Sequence, residues 1–185
     1  MYKDLLAEND DLNNEEDGRS KKSSYYESWM KTAFDKAQEA LSKGEVPVGC
    51  VIVYNDEIIA SGRNTVNETK NATRHAEINA LDALFEYCNI KHLSYEDLLK
   101  DCSLYVTVEP CIMCIEALGN LKLGKLIFGC SNDRFGGCGS VVDRHLEYRY
   151  MEIVKDIQKE KAIELLKRFY KGENPNAPTC KKKTN

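Results

Sequence analysis

The stretch LYVTVEPCIMCIEALGNLKLGKLIFG, residues 104–129, decides the fold. Leu104–Val108 is a run of aromatic and branched apolar side chains, the signature of a buried strand. Cys111–Leu121 carries apolar residues at helical spacing, and Lys125–Gly129 returns to a short apolar run that reads as a second buried strand. Working outward, Met151–Val154 reads as a weaker strand and Ile157–Tyr170 as a closing amphipathic helix. Upstream, residues 74–88 read as a helix, followed by a polar stretch up to Leu104. Val48–Tyr54 and Glu57–Ser61 are β-rich runs around Asn55-Asp56, a hairpin signal. Met30, Ala33, Phe34, Ala37, Ala40 and Leu41 recur at i, i+3, i+4, i+7, which predicts an amphipathic helix over residues 25–43 closed by Gly44. Helices interleaved with strands predict an α/β fold. The expected form is a three-layer α/β/α sandwich around a mixed sheet of about five strands.

The 185 residues suit one domain. The expected division is an acidic, disordered extension over residues 1–24, a catalytic domain over 25–172 and a basic tail over 173–185. No apolar run approaches the roughly 18–20 residues of a membrane-spanning helix, so no membrane partner is expected. The acidic start lacks the basic-then-apolar order of a secretory signal, and the expected location is intracellular, cytoplasmic and/or nuclear. The net charge of −4 argues at first against nucleic acid. Residues 1–18, however, hold seven acids against Lys3, a net of −6, which leaves +2 for the other 167 residues. The overall sign therefore describes the head. Of eight cysteines, Cys50, Cys88, Cys102 and Cys130 lie in apolar stretches and read as buried thiols of a reducing compartment. Cys180 reads as a free thiol of the tail, and Cys111 with Cys114 forms the one C-x-x-C.

That pair joins His75-Ala76-Glu77 in a single constellation. One imidazole and two thiolates are the donor set of a zinc site, and no fourth ligand stands at useful spacing, so the site is expected to keep a position open for water, as catalytic zinc sites do. Both halves fall where a helix begins. There His75 can ligate while Glu77, two residues on, reaches into the same space and moves protons. The implied chemistry is hydrolytic loss of ammonia from an amidine-like carbon. His92 and His145, in polar surroundings, read as solvated. Glu109 either supports the ligands from behind or caps a turn. Cys138, in a glycine-rich loop, is expected near the pocket but not as a ligand.

The pattern H-x-E…P-C-x-x-C is the known signature of zinc deaminases of nucleobases, and signature and element order resemble the cytidine-deaminase-like superfamily. Glu45-Val46-Pro47-Val48-Gly49, Gly62-Arg63-Asn64, Lys125-Leu126-Ile127-Phe128-Gly129 and Gly139-Ser140-Val141-Val142-Asp143 look like the tRNA adenosine deaminases. Phe135–Ser140 and the stretch Phe169–Pro178 are similar to catalytic subunits of the heterodimeric eukaryotic enzymes. The resemblance covers about residues 25–178, and residues 86–101 stand out as an insertion relative to compact bacterial relatives. It implies adenosine-to-inosine conversion at the wobble position of tRNA anticodons. It also implies Zn2+ on His75, Cys111 and Cys114, Glu77 as proton shuttle, and Asn64, Val48 and Phe135 against the flipped base. The implied partners are the tRNA anticodon arm and a related, catalytically inactive deaminase-like subunit, with a homodimer the less favoured assembly. A deaminase of free nucleobases or nucleotides is the alternative. An RNA substrate needs cations for its backbone and flat groups for its bases. Arg74, Arg134, Arg144 and Lys181, Lys182 and Lys183 are candidates for the first, Phe135 and Tyr170 for the second.

Overall fold

The computed structural model describes the backbone of residues 4–172 and the side chains of residues 22–172. Five strands, β1 (Gly49–Tyr54), β2 (Glu57–Arg63), β3 (Ser103–Val108), β4 (Lys125–Cys130) and β5 (Glu152–Val154), form one sheet in the order β2-β1-β3-β4-β5. β1 runs antiparallel to both β2 and β3, while β3, β4 and β5 are parallel, so the sheet is mixed as expected. Asn55 (φ 48°) and Asp56 (φ 60°) make the tight turn between β1 and β2. Two successive positive φ values fit the right-handed twist of a two-residue hairpin, and Asn and Asp tolerate them well.

The pleat sorts the strand side chains between two cores. Cys50, Ile52, Leu104, Val106, Leu126 and Phe128 face one way, where α3 (Ala76–Lys91) contributes Ala80, Leu81 and Leu84, and α5 (Ile112–Asn120) contributes Ile115 and Leu118. Val51, Val53, Tyr105 and Ile127 face the other way, against Met30, Ala33, Phe34 and Ala37 of α1 (Asp4–Ser42) and Ala162 and Leu165 of α6 (Lys159–Lys171). Helices on both faces of one sheet complete the three layers.

Three features differ from the expected local structure. The first helix begins at Asp4 rather than at residue 25. Its later turns are nucleated by burial of Tyr26, Met30 and Phe34, and propagation from a formed helix adds one hydrogen bond for each residue fixed. The acidic residues sit toward the N-terminal end, the favourable side of the helix dipole. Residues 86–101 are not a loose polar stretch. α3 runs on to Lys91, Ser94 caps α4 (Tyr95–Leu99) by accepting from Asp97 N (3.3 Å), and Leu98 and Leu99 enter the core. A two-residue apolar anchor is too short to show a period. A further short helix, α2 (Val66–Thr69), and a 3-10 turn at Arg144–Glu147 also escape the periodicity. Seven cysteines are described and all are buried and without a disulfide, Cys50, Cys88, Cys102 and Cys130 as read. Among the described residues, no helix is long and apolar enough to cross a membrane.

Candidate zinc centre

His75 and Cys111 are the N-caps of α3 and α5, with extended backbone (ψ 162° and 170°), so each side chain leaves its chain just before a helix starts. Neither side chain is spent on capping. Cys114 follows one turn into α5 and is fully buried. The three meet: His75 Nδ1 lies 3.4 Å from Cys111 Sγ and 3.5 Å from Cys114 Sγ, and all three ligand atoms fall within 4.8 Å of one another. Tetrahedral zinc with Zn–S of about 2.3 Å and Zn–N of about 2.0 Å places N and S about 3.5 Å apart. The side chains therefore already stand at the edge lengths of a zinc tetrahedron, and the site fits Zn2+. Among the described residues no other His, Cys, Asp or Glu joins the cluster.

α3 is set at that distance by a glycine. A Cβ on Gly62 of β2 would meet Ala76 O at 2.2 Å and Ala80 N at 2.5 Å, so only glycine lets the first turn of α3 rest on the sheet. Asn79 pins the same turn, donating Nδ2 to Arg63 O (2.8 Å) and Thr65 Oγ1 (2.9 Å). Glu77, one residue into the helix, is 3% exposed. Burial first, and then the negative charge at Cys111, push its carboxyl up from 4.5 to about 7. The Cys111 thiol moves the opposite way, down to about 4, chiefly through the hydrogen bond from Cys114 and then from His75. The same bond, with burial, holds Cys114 in its thiol form. Contact with Cys111 favours a charged His75, against the effect of burial.

A cavity of about 880 Å³ opens over these groups. Asn64, Val48 and Phe135 line it, as does Arg134, whose guanidinium lies 5.6 Å from the Phe135 ring centre. Tyr170 and Lys167 reach it from α6. Arg144 is not in the lining. It pairs with Glu116 and Glu147, at 2.5 Å each. Arg74 is likewise outside the lining and pairs with Asp82. His92 is exposed at the end of α3, and His145 sits in the 3-10 turn; neither approaches the ligands. Lys181, Lys182, Lys183 and Cys180 lie outside the described residues.

Glu109 resolves into a scaffold for the cavity rim. Its buried carboxylate accepts from Asn132 N (2.9 Å), Cys138 N (2.7 Å) and Ser140 N (3.2 Å), and from the Ser140 hydroxyl. The loop carrying Arg134 and Phe135 is also stitched to the residues on either side of Cys111, with Ile112 N donating to Phe135 O (2.9 Å) and Gly137 N to Pro110 O (2.9 Å). Gly136 passes so close that a Cβ would sit 2.6 Å from Glu109 Oε1. Cys138 is buried beneath this loop and is not a ligand, and the loop borders the pocket through Phe135, as expected. Spacing does not single out Glu45, fully buried behind the opposite wall, nor Leu166 and Lys167 beside the expected Tyr170 on the α6 wall. Glu45 heads the block Glu45–Gly49 directly after Lys43-Gly44, where a glutamate carries no burial signal.

A carboxylate kept near neutral titration beside an open His/Cys/Cys ligand set, on an α/β/α sandwich, defines a zinc-dependent hydrolytic deaminase. Residues 23–130 match the cytidine and deoxycytidylate deaminase zinc-binding region. The chain is 52% identical over 160 residues to tRNA-specific adenosine deaminase 2 of Danio rerio (84% of this chain, 75% of that one). It is 51% identical over 163 residues to tRNA-specific adenosine deaminase 2 of Xenopus tropicalis (84% and 94%). A solved structure from work on A-to-I editing by tRNA:A34 deaminases superposes with a TM-score of 0.66 at 27% identity, covering 74% of this chain and 97% of that one. The chain belongs to the tRNA-specific adenosine deaminase family.

Proposed function

We propose that this chain converts adenosine to inosine at the wobble position of tRNA anticodons, as the catalytic subunit of a heterodimer. The observation that carries the reading is Glu77: a buried carboxyl with a pKa raised to about 7 beside the three ligands, in a chain whose relatives act on tRNA adenosine. His75, Cys111 and Cys114 would hold Zn2+, which when bound supplies a water acidic enough to attack at neutral pH. In the overall reaction water adds at C6 of adenine, the C6–N bond breaks, and ammonia leaves with inosine formed. Glu77, buried beside the three ligands, is the group placed to take a proton from the water and return it to the departing nitrogen. Asn64, Val48 and Phe135 would hold the flipped base, while Arg134, Lys167 and Tyr170 at the rim suit the neighbouring nucleotides. An anticodon-loop adenine is already partly unstacked, so extruding it into the cavity costs less than from a duplex.

Two observations support the partner subunit. Outside the acidic head the chain carries only +2, little for a lone tRNA binder. Ile112 on α5 and Leu146 on the 3-10 turn packed against α5 leave large apolar groups in water, and so does Val141 in the loop before the turn, as an interface would. The partner expected is a related deaminase-like chain without the glutamate. Lys181, Lys182, Lys183 and Arg144 are proposed as further tRNA contacts. The test is inosine formation on a tRNA bearing adenosine at the wobble position, using the full chain with its co-purifying partner. Loss of inosine in Glu77→Gln with zinc retained is expected. Turnover of free adenosine, cytidine or guanine in place of tRNA would overturn the substrate.

A further inference from the structure

Glu45 is fully buried and makes no part of the cavity lining, yet residues on both sides of it, Val46 and Val48, do line it. Its carboxylate is fully used. Oε2 accepts from Asn64 Nδ2 (3.1 Å) and from Asn67 N (3.1 Å), and Oε1 accepts from Glu68 N (2.7 Å). Asn67 Nδ2 in turn donates to Gly44 O (3.1 Å), and Asn64 N donates to Val48 O (3.1 Å). One side chain therefore ties the segment before β1 to the end of β2 and to the first turn of α2, the three pieces that form this wall. The detail with chemical content is the amide. A carboxylate can only accept, so it dictates that Asn64 turns Nδ2 toward it. Asn64 is 5% exposed and lines the cavity, so Oδ1 and the second Nδ2 hydrogen are left for a ligand, in an order that the bond to Glu45 fixes.

We propose that Glu45 is a positioning residue that fixes the flip of the Asn64 amide, so that the site presents the amide's oxygen and its remaining N–H to the bound nucleoside in one order. This rests on the reading of the chain as a wobble adenosine deaminase and adds the residue that orients the recognising amide. Without Glu45 the amide has two near-equivalent orientations, one of which exchanges donor and acceptor against the bound nucleoside. A misdirected buried polar contact of this kind costs on the order of tenfold to a hundredfold in rate.

The experiment is a double-mutant cycle in the zinc-loaded full chain with its partner subunit, using Glu45→Ala, Asn64→Ala and the double substitution, with Glu45→Gln as the conservative variant. Zinc content is measured first and is expected to equal wild type throughout. Glu45→Ala is expected to lower kcat/KM on wobble-adenosine tRNA by about tenfold or more, and Glu45→Gln by less, because one oxygen still accepts. The double variant is expected to lose clearly less than the sum of the two single losses, because the Asn64 share of the Glu45 effect is already gone. Losses that add within error would overturn the inference, since residues acting independently add. Where Glu45→Ala fails to fold, Glu45→Gln runs the same cycle with the same two outcomes. A wild type that forms no inosine refutes the substrate reading instead. The side-chain amide resonances of Asn64 then decide the contact on their own. A slowly exchanging Nδ2 proton that is lost in the Glu45 variant sustains it, and one unchanged overturns it.

Discussion

Replacing Glu77 by Gln should stabilise the metal-free chain while abolishing its chemistry, and the gain should depend on pH. The folded-state carboxyl titrates near 7 against an ordinary value of 4.5, a difference of about 2.5 units. Each unit corresponds to about 1.4 kcal/mol, so ionised Glu77 costs the folded state at most about 3 kcal/mol. The sign follows from proton counting. Between pH 4.5 and about 7 the folded chain still holds a proton that the unfolded chain has lost. Stability from this group is therefore highest below that window and falls as the pH rises through it. Gln is neutral throughout, so Glu77→Gln should gain little near about pH 5 and up to about 3 kcal/mol near about pH 8. Urea unfolding of the metal-free full chain would show this as a midpoint shift of about 1 M or more at the higher pH only. Cys111→Ser removes the second cause of the shift, the neighbouring thiolate, and should narrow the window without closing it. A gain equal at both pH values would reduce the effect to packing, and no gain at either would refute the buried-charge argument. In the zinc-loaded chain the same substitution should lower deamination by about 10²–10⁴-fold, the scale of a lost general acid–base. Opposite signs on stability and activity are the mark of a group held strained for function.

Three further outcomes follow from contacts around the cavity. Glu109→Ala strips the acceptor from three backbone N–H groups and a hydroxyl; a loss of about 3 kcal/mol or more in chemical denaturation is expected, with faster hydrogen exchange confined to residues 132–140. Gly62→Ala forces the start of α3 off the sheet by its 2.2 Å contact with Ala76 O; a loss of about 1–3 kcal/mol is expected together with weaker zinc retention against a competing chelator, and unchanged retention would detach ligand geometry from this contact. Deleting residues 181–183 should flatten the dependence of tRNA affinity on salt by a log–log slope of up to about 2–3 while zinc content stays constant; identical slopes would remove the lysines from the interface.

The parts of the fold visible in the sequence are those governed by a repeating pattern. Leu104, Val106 and Tyr105 alternate between the two cores, and Met30, Ala33, Phe34 and Ala37 recur at helical spacing, because burial on one face acts on every second or every third to fourth residue. α4 and α2 were invisible because they contain four or five residues and are held by single anchors: Leu98 and Leu99 in the first, Glu45 in the second. The start of α1 was misplaced for the reverse reason. Amphipathic spacing marks where a helix packs, and this helix continues past its packed part to Asp4.

At the site, the ligands and Glu77 were legible since metal and proton chemistry admit few residue types, and these sit at short fixed spacings. Glu45 and Glu109 show what spacing cannot convey. Each is buried, each satisfies its carboxylate mainly with backbone N–H groups, and each holds one wall of the cavity: Glu45 the wall of Asn64, Glu109 the loop of Arg134 and Phe135. Backbone donors leave no partner in the sequence to find. A glutamate satisfied by amides 22 or 31 residues away reads the same as one in water. The division of labour is therefore physical. Three buried carboxylates stand around the cavity, and the two held by backbone donors fix its shape. Glu77 is the one that burial and the charge at Cys111 leave titrating near 7 before zinc binds, at the place where a proton has to move.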